Sequence, residues 1–505
     1  MAEKRLRRVE FGDFQTPLEL AREVCELVKR SGFSPKTILE PTCGQGAFLK
    51  ASLATFPSAK RIIGVEYNAV YASTARSAVS ATTQINVDIL EGDFFCFDWE
   101  HILAQSEGKI LVLGNPPWVT NAVLGSYQSS NLPIKSNVDF LRGIDAITGK
   151  SNFDISEFML RESLGWISRC DGMLAVLCKT SVARKVLAFA WSQRIPIESA
   201  AIYRIDAKLH FGASVDACLL CVRSNGNGNA RECADYESLD AIKPRIVFGL
   251  REAEVVADVK LYERWEHLRQ RGLSGWRSGV KHDCSKVFEL EQHDGIWKNG
   301  LGESVDVEQE VVFPLLKSSD LAARRPPRKW LLASQKSTSD SPEMLQTSAP
   351  KAWSYLRQHE ELLNNRASRV YKKRPPFSIF GIGPYSFAPW KVGISGLYKT
   401  LTFVAVGPVE DKPTLLDDTC YLFPCDSQEE CELLLSLVTS DIATEFFRAL
   451  IFWDMKRPIT AKLLNSLDFF FLAQELGIDS QLVQCLAERQ VVGYSRHRNQ
   501  PLLFR

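Results

Sequence analysis

The sequence contains no apolar run of about 18 residues, which is roughly the length that a membrane-spanning helix requires. Several of residues 1–8 are basic, but no apolar segment of the kind found in secretory signals follows them. We therefore expect a cytoplasmic protein that does not associate with membranes. The apolar fraction of 45% and the charged fraction of 24% are those of an ordinary globular protein.

Neither sign of charge is in clear excess, because 61 lysines and arginines face 60 aspartates and glutamates, for a net charge of +1. Many nucleic-acid-binding proteins carry a basic excess, so the overall balance argues mildly against that class. Basic residues are nevertheless clustered at 4–8, 324–329 and 366–374. Such a cluster is more often a solvated surface than a nucleic-acid site, although a neutral enzyme can still have one basic cleft.

Paired cysteine motifs are almost absent from the chain. The 13 cysteines are scattered, and one Cys-x-x-Cys spacing, Cys218 to Cys221, lies in an apolar strand-like run. Side chains alternate along a strand, so these two thiols would point to opposite faces or lie far apart. Without a second such pair, a structural zinc site lacks its ligands. We expect buried, reduced thiols and no structural metal.

A chain of 505 residues is longer than one hydrophobic core usually organises, so two domains are expected. The first part alternates short apolar strands with amphipathic segments, which is the pattern of a doubly wound, mostly parallel α/β sheet. The Gly- and Asn-rich segment 224–230 is the best candidate linker. After it, aromatics and prolines become common and the alternation ends. We predict an α/β domain over 1–225 and an α+β domain over 231–505.

The first motif with chemical content follows a strand predicted over 37–40. The sequence Glu40-Pro41-Thr42-Cys43 leads into a turn with Gly44 and Gly46, and a predicted helix comes next. In an open α/β sheet, ligands bind beyond the carboxyl ends of the strands, where glycines let a ligand approach the backbone closely. A tight turn that binds nothing would carry the same two glycines, so this motif alone is ambiguous.

Acidic positions further along the chain favour a cofactor site. Glu66 ends the next predicted strand, and a carboxylate there can accept hydrogen bonds from both ribose hydroxyls of a nucleoside cofactor. Asp93 and Phe94 follow a third predicted strand. This pair suits an adenine ring, because the carboxylate can accept from the amino group while the aromatic side chain packs on the face.

The sequence Asn115-Pro116-Pro117-Trp118 directly follows a fourth predicted strand, 110–113. Two consecutive prolines fix the backbone and remove two N–H donors, so the Asn115 side-chain oxygen and the Pro116 carbonyl face outward as acceptors. Hydrogen bonds to these oxygens would orient the lone pair of a planar amine, which is a poor nucleophile by itself. Trp118 offers a face for a base turned out of its stack. A Pro-rich turn with a core tryptophan is the less favoured alternative.

Together these residues resemble the amino-methyltransferases of restriction-modification systems, in the group whose cofactor motif precedes the catalytic motif and whose target-recognition domain comes last. The segment 14–18, Phe-Gln-Thr-Pro-Leu, is similar to the extra N-terminal motif of that group. The resemblance implies a Rossmann-like methyltransferase sheet over 1–225 and a target-recognition domain over 231–505. It also implies methyl transfer from S-adenosylmethionine to the N6 amino group of adenine in double-stranded DNA, with a cognate restriction endonuclease as an optional partner.

The resemblance also assigns roles to individual residues. Those implied to hold S-adenosylmethionine are Thr16, Glu40, Pro41, Cys43, Gly44, Gly46, Glu66, Asp93 and Phe94. Those implied in catalysis are Asn115, Pro116, Pro117 and Trp118. The segment 210–214 is similar to the family loop whose aromatic residue abuts the flipped base, so Phe211 is a candidate second clamp; a core position is its alternative. Many members carry Tyr or Phe where Trp118 stands, and an asparagine at the first motif position favours adenine over cytosine.

The second domain carries basic residues interleaved with aromatics, notably over 276–284, 313–320 and 366–392. Such stretches suit a nucleic-acid groove, where cations meet phosphates and planar groups stack. An ordinary β-rich core with exposed basic residues is the alternative. These stretches also resemble the C-terminal recognition region of the same family. The residues expected to approach DNA are Lys281, His282, Lys317, Arg374 and Lys391.

Other function classes fit less well. Methyltransferases that act on protein glutamine share the Asn-Pro-Pro-aromatic motif but are short and lack a large C-terminal half. Cytosine-N4 and RNA adenine-N6 methylation stay open as alternatives. An intact catalytic motif beside an intact cofactor motif argues against a non-enzymatic binding module. The sequence holds no convincing nuclease motif of the form Pro-Asp…Asp/Glu-x-Lys, so we expect methylation only, by a monomer acting on an asymmetric site.

Overall fold

The computed structural model describes residues 14–79, 85–119, 154–269, 275–372 and 374–478. The chain forms two compact units, Met1–Val259 and Lys260–Arg505. The boundary therefore falls later in the chain than the predicted linker at 224–230. The reason is that the strands after this linker extend the sheet of the first unit, where Glu232–Tyr236 pairs in parallel with Ser199–Ile205.

The described part of the first unit is built on one ten-stranded sheet, with helices connecting its strands. The strands are β1 Thr37–Glu40, β2 Arg61–Glu66, β3 Asn86–Glu91, β4 Ile110–Gly114, β5 Gly172–Lys179, β6 Ser199–Ile205, β7 Ala217–Ser224, β8 Glu232–Tyr236, β9 Ile246–Arg251 and β10 Glu254–Val256. The helices are α1 Leu18–Arg30, α2 Ala47–Thr55, α3 Ala69–Val79, α4 Trp99–Ala104, α5 Ile155–Ile167, α6 Thr180–Ser192, α7 Ala207–Phe211 and, at the unit boundary, α8 Val259–Trp265.

The strand order in this sheet is β10-β9-β8-β6-β7-β5-β4-β1-β2-β3. Neighbouring strands from β5 to β3 in this order are parallel. The strand β7 is antiparallel to both of its neighbours, and β9 is antiparallel to β8 and β10. The predicted α/β class is confirmed, and the predicted parallel character holds for the half of the sheet that contains the sequence motifs.

Apolar runs and their burial explain the central strands. Every residue of β1 and β4 is buried, as expected for parallel strands covered by helices on both faces. Helix α1 buries residues three and four positions apart, including Leu20, Val24 and Val28, which place one apolar face against the core. These elements form a rigid layer from which the loops at the carboxyl ends of the strands project.

The position of β1 in the sheet fixes where a ligand can bind. The chain runs outward from β1 through β2 to β3 and then returns to place β4 on the other side of β1. The loops that leave β1 and β4 therefore diverge, which opens a crevice at the carboxyl ends of these two strands. Glu40 ends β1 and Gly114 ends β4, so both predicted motifs begin at this crevice.

The described part of the second unit has α+β character, with a six-stranded and a four-stranded sheet. Its strands are β11 Arg277–Ser278, β12 Glu289–His293, β13 Ile296–Asn299, β14 Ser304–Val305, β15 Val312–Leu316, β16 Lys329–Leu332, β17 Trp390–Ser395, β18 Phe403–Val406, β19 Leu415–Leu416 and β20 Cys420–Cys425. Its helices are α9 Ser285–Phe288, α10 Ser318–Ala322, α11 Leu345–Ser348, α12 Pro350–Gln358, α13 Glu360–Asn364, α14 Gln428–Thr439, α15 Asp441–Leu450, α16 Ala461–Leu464 and α17 Phe469–Glu475.

Two large hydrophobic clusters, and a smaller one that includes Leu321 and Leu416, stabilise the described part of the second unit. One joins the four-stranded sheet to the C-terminal helices and includes Trp276 and Phe447. The other joins the six-stranded sheet to the helices around 345–363 and includes Trp297 and Trp330. The aromatics that the sequence concentrates after residue 230 are thus largely core residues. No helix in the described ranges of either unit is both long and apolar enough to cross a membrane.

Candidate active site

A cavity of about 720 Å³ lies at the carboxyl ends of β1 to β4 in the first unit. It brings together most of the residues singled out in the sequence motifs. Those that line it are Thr16, Glu40, Pro41, Cys43, Gly44, Glu66, Asp93, Phe94, Asn115 and Pro117. Pro116 lines a smaller cavity that shares Pro41 and Phe94 with the large one. Gly46 and Trp118 line neither cavity.

Glu66, at the end of β2, is held by the backbone on both carboxylate oxygens. Its Oε2 accepts a hydrogen bond of 2.8 Å from the Gly44 N–H, and its Oε1 accepts one of 2.8 Å from the Asn68 N–H. These bonds fix the carboxylate at the wall of the cavity. A carboxylate oxygen can accept more than one hydrogen bond, so this geometry is compatible with the predicted binding of ribose hydroxyls.

Glu40, at the end of β1, is the most deeply buried acidic group of the cavity wall, with 3% of its surface exposed. Burial, together with the negative charge of Glu66, raises the pKa of Glu40 well above its ordinary value. Its Oε2 has no hydrogen-bond partner within the part of the chain that the structure describes. Burial therefore favours the protonated form of Glu40, and its Oε2 is available to a ligand.

The two positions in the turn after β1 require glycine for different structural reasons. Both have positive φ, +51° at Gly44 and +84° at Gly46, a conformation that residues with a side chain rarely adopt. A Cβ at Gly44 would lie 2.7 Å from the Gln15 Oε1, and that oxygen accepts a hydrogen bond from the Gln45 N–H. A Cβ at Gly46 would instead press on Ala75 in α3. Gly44 shapes the cavity wall, whereas Gly46 allows close packing of the turn against α3.

Asp93 and Phe94 follow β3 and lie side by side on the cavity wall, as the sequence predicts. The Asp93 Oδ1 accepts a hydrogen bond of 3.0 Å from the Phe95 N–H, which orients the carboxylate. The Phe94 ring packs against Trp99 and Trp166, with ring centroids 5.4 and 5.8 Å apart. This aromatic cluster keeps Phe94 in place at the wall.

Asn115 follows Gly114, whose φ of +147° turns the chain away from the sheet beside Glu40. The Asn115 Nδ2 donates a hydrogen bond of 3.1 Å to the Phe14 carbonyl oxygen. The side-chain Oδ1 is buried and has no hydrogen-bond partner among the described residues. Because the bond to a carbonyl requires a donor, it fixes the amide with its oxygen as the group left to accept from a ligand.

Trp118 is buried, with 6% of its surface exposed, and does not present a free ring face. Its ring lies against Phe14 and Phe211, with centroids 5.8 and 5.2 Å apart, and its Nε1 donates to the Leu177 carbonyl at 3.4 Å. Phe211 ends the short helix α7 and is itself buried, 7% exposed. The two predicted clamp residues thus contact each other and Phe14 in one aromatic cluster.

For several residues that line the cavity, no individual role follows from the sequence. Gln15 and Phe14 belong to the segment before α1, where only Thr16 is singled out by the motif. Ile155 and Met159 come from α5, whose apolar spacing is that of any core-facing helix. The placement of these residues depends on tertiary packing, which the local pattern does not encode.

The expectation that Lys391 approaches DNA is wrong for this structure. Lys391 lies within β17 and is fully buried, with 0% of its surface exposed. Its Nζ donates a hydrogen bond of 2.5 Å to the Ala388 carbonyl, and desolvation lowers the pKa of Lys391 to about 8. With its Nζ bonded internally and none of its surface exposed, this side chain is not available to a phosphate.

His282 and Lys317 both contact an internal carboxylate, that of Glu289. The Lys317 Nζ lies 2.6 Å and the His282 Nε2 3.3 Å from the Glu289 Oε1, and Lys329 lies 3.3 Å from the Oε2. Burial alone would raise the pKa of Glu289, but the hydrogen bonds and positive charges of His282 and Lys317 outweigh it and lower that pKa to about 2. His282 and Lys317 therefore stabilise the buried Glu289 carboxylate. A role of these two residues in DNA binding stays a prediction.

Arg374 and Lys281 are the predicted DNA-contact residues with the most accessible charge. The Arg374 guanidinium lies 5.6 Å from the centre of the Phe380 ring on the exposed surface. The Lys281 Nζ pairs with Asp283 at 3.2 Å and lies 3.9 Å from Asp418. The basic cluster at 4–8 lies outside the described residues. The described ranges contain no group of three or more His, Cys, Asp or Glu side chains arranged to hold a metal ion.

Comparison with known proteins gives one relative that covers nearly the whole chain. The type II methyltransferase M.NspV of Nostoc sp. is 42% identical over 470 residues, which are 92% of this chain and 98% of that protein. The type II methyltransferase M.CvrRI of Paramecium bursaria Chlorella virus XZ-6E is 33% identical over 138 residues, 27% of this chain and 32% of that protein. No protein-family model matches.

Among solved structures, the type IIL restriction-modification enzyme MmeI in complex with DNA shares the fold, with a TM-score of 0.53 and 13% sequence identity. The similarity covers 92% of this chain, and this chain spans 65% of the MmeI chain. The similarity therefore extends beyond the ten-stranded sheet of the first unit.

Proposed function

This chain belongs to the type II methyltransferase family, and from that premise we propose that it transfers a methyl group from S-adenosylmethionine to the N6 amino group of an adenine flipped out of double-stranded DNA. The observation that carries the proposal is the Asn115 Oδ1, a buried acceptor at the cavity wall without a partner among the described residues. Leaving such a group unsatisfied costs about 1–3 kcal/mol, and an amino hydrogen of the base would satisfy it.

The cavity fits S-adenosylmethionine in size and in the chemistry of its walls. Its volume of about 720 Å³ falls in the range of roughly 300–1,000 Å³ that is usual for small-molecule sites. Glu66 would accept from the ribose, Asp93 and Phe94 would hold the adenine ring, and Thr16 would contact the methionine part. When bound, the cofactor supplies a methyl group on a sulfonium, which is electrophilic.

The catalytic segment would act by orienting the amine. The Asn115 Oδ1 would accept one amino hydrogen and the Pro116 carbonyl the other, which directs the nitrogen lone pair toward the methyl carbon. The hydrogen bond from the Asn115 Nδ2 to the Phe14 carbonyl keeps the amide from rotating. Formation of the nitrogen–carbon bond would be matched by cleavage of the carbon–sulfur bond, and the cationic nitrogen would then lose its proton to solvent. No strong base is needed before the attack.

Two considerations support DNA and adenine as the substrate. MmeI, which has the same fold, forms a complex with DNA, and the second unit carries exposed basic residues such as Arg374. An asparagine at the first position of the catalytic motif favours adenine over cytosine. On this proposal the second unit recognises the target sequence, the protein acts in the cytoplasm, and a restriction endonuclease of the same specificity is an optional partner.

The experiment is transfer of labelled methyl groups from S-adenosylmethionine to unmethylated bacterial genomic DNA, followed by nucleoside analysis. The expected result is label in N6-methyladenine, and mapping the modified positions then gives the target site. Label in N4-methylcytosine would refute the choice of base, and label in RNA or protein alone would refute DNA as the substrate. The Asn115→Ala variant, assayed in parallel, controls for a contaminating activity.

A further inference from the structure

Lys179 links two segments of the first unit that lie far apart in sequence. It is the last residue of β5, the strand next to β4 in the sheet. Its Nζ donates a hydrogen bond of 3.1 Å to the Trp118 carbonyl oxygen and lies 2.6 Å from the Asp154 Oδ2. One ammonium group therefore joins the end of the catalytic segment 115–118 to the start of α5.

Asp154 is held firmly enough to act as the anchor of this link. Its side chain is 6% exposed, and its Oδ1 accepts hydrogen bonds from the Ser156 N–H at 3.1 Å and from the Ser156 hydroxyl at 2.6 Å. These bonds cap the N-terminus of α5. A carboxylate so far removed from solvent requires a compensating charge, and Lys179 provides it.

The hydrogen bonds of Lys179 belong to a larger set that holds both ends of the catalytic segment. The Ile155 N–H donates to the Val119 carbonyl at 2.9 Å, and the Trp118 indole N–H donates to the Leu177 carbonyl. At the other end of the segment, the Asn115 amide donates to the Phe14 carbonyl. Two of these bonds hold the backbone carbonyls of Trp118 and Val119. The bond from Lys179 to Trp118 is the one with a charged donor.

We propose that Lys179 is a positioning residue for methyl transfer, which acts by fixing the Trp118 carbonyl and with it the orientation of the segment that carries Asn115. This inference rests on the proposed function. Lys179 does not line the cavity, so on the proposed function it would act through the catalytic segment rather than by contact with the cofactor. Its loss should therefore slow the chemical step while leaving cofactor binding largely intact.

The test compares Lys179→Met, Lys179→Arg and Asp154→Asn with the wild-type protein and a matched control. Lys185→Met is the control, because Lys185 in α6 also pairs with a buried carboxylate, Glu157, at 3.2 Å, but does not contact the catalytic segment. Arg161 pairs with the same carboxylate at 2.6 Å and remains in the control variant. The readouts are the single-turnover rate of methyl transfer to DNA and the Kd for S-adenosylmethionine, measured separately.

We expect Lys179→Met to lower the single-turnover rate about 10- to 100-fold, the size of effect that misplacement of a reacting group by about 1 Å produces. The cofactor Kd should change less than about threefold, and Lys179→Arg should recover part of the rate because it restores a charged donor. Lys185→Met should keep the wild-type rate. If Lys179→Met does not fold, Asp154→Asn decides by the same criteria.

Wild-type rates in Lys179→Met, or in Asp154→Asn where that variant decides, would overturn the inference. So would parallel losses in rate and cofactor affinity, because these would indicate a general structural role. Absence of transfer to DNA by the wild-type protein is a separate result, which would refute the proposed function and this inference with it.

Discussion

Replacing Asn115 with alanine is the sharpest perturbation of the proposed chemistry. The substitution removes the buried Oδ1 that is available to the substrate amine and the Nδ2 that binds the Phe14 carbonyl. The acceptor is needed most when positive charge develops on the amine, so its loss affects the transition state more than the ground state. Removal of one preorganised polar group of this kind typically lowers kcat about 10²–10³-fold, or about 3–4 kcal/mol.

Cofactor binding should survive the same substitution. The groups expected to hold S-adenosylmethionine are on other loops, and the Glu66 carboxylate is fixed by the N–H groups of Gly44 and Asn68 rather than by Asn115. We expect the cofactor Kd of Asn115→Ala to stay within about threefold of the wild-type value. Asn115→Asp keeps an oxygen at the Oδ1 position but loses the donor to Phe14, so its rate should lie between those of the wild type and the alanine variant.

The assay is single-turnover transfer at saturating cofactor on DNA that carries the mapped target site, with cofactor affinity measured by calorimetry. A rate within about threefold of wild type in Asn115→Ala would refute the acceptor role, because the side-chain oxygen assigned to the amine would then be dispensable. Simultaneous loss of transfer and cofactor affinity would instead indicate misfolding of the segment, which a lowered free energy of unfolding would reveal.

Three other predictions concern cofactor affinity, stability and DNA contact. Glu66→Ala should raise the cofactor Kd about tenfold or more by calorimetry, since hydrogen bonds to a charged group are worth about 1.5–3 kcal/mol; an unchanged Kd would remove Glu66 from the ribose role. Glu289→Gln should lower the free energy of unfolding at pH 7 by about 3 kcal/mol, because the pKa of Glu289 falls from 4.5 to about 2 on folding. That stabilisation is present above pH 4.5 and is lost as the pH falls toward 2, so the gap between wild type and variant in urea titrations should be smaller at pH 3.5 than at pH 7. Lys391→Met should leave DNA affinity unchanged. The pKa of Lys391 falls from 10.5 to about 8 on folding, so the unfolded state binds more protons between these pH values. The free energy of unfolding of the wild type should therefore rise relative to that of the variant from pH 8 to 10.5. Weaker DNA binding by Lys391→Met would contradict its buried position.

The sequence predicts the central sheet well because its strands are short apolar runs that end in turns. The predicted strands at 37–40 and 110–113 match β1 and β4 closely, and the predicted strand that ends at Glu66 corresponds to β2. The segment 224–230 misleads, because its glycines resemble those of a flexible linker. In the structure, a Cβ at Gly228 would lie 2.2 Å from the backbone of Ile197, and the Ala230 N–H donates to the Ile197 carbonyl at 2.8 Å. Glycine is favoured both where two backbones approach closely and in flexible linkers, so its presence alone does not distinguish the two cases.

Some residues of the candidate site could likewise be predicted from the local sequence, whereas others depend on contacts with distant parts of the chain. Glu66, Asp93 and Asn115 could be predicted because each lies at or just after the carboxyl end of a strand that faces the same crevice. The environments of Lys391 and His282 could not be predicted, since they depend on partners from other strands. A basic residue beside aromatics fits both a nucleic-acid groove and a buried ion pair, and only the tertiary structure distinguishes the two for a given side chain.

Trp118 belongs to a motif that the sequence reveals, but its neighbours are known only from the tertiary structure. On the proposed function, these neighbours constrain how a base can enter the site. The Trp118 and Phe211 rings meet edge to face with their centroids 5.2 Å apart, which leaves no gap between them for a base that needs about 3.5 Å on each side. A base that stacks on Trp118 must therefore displace one of the aromatic neighbours. Phe14 is one of them, and its carbonyl also accepts the hydrogen bond that orients the Asn115 amide. Displacement of Phe14 by the base would thus act on the acceptor oxygen as well, so base entry through Phe14 and placement of the catalytic amide would be linked through a single residue.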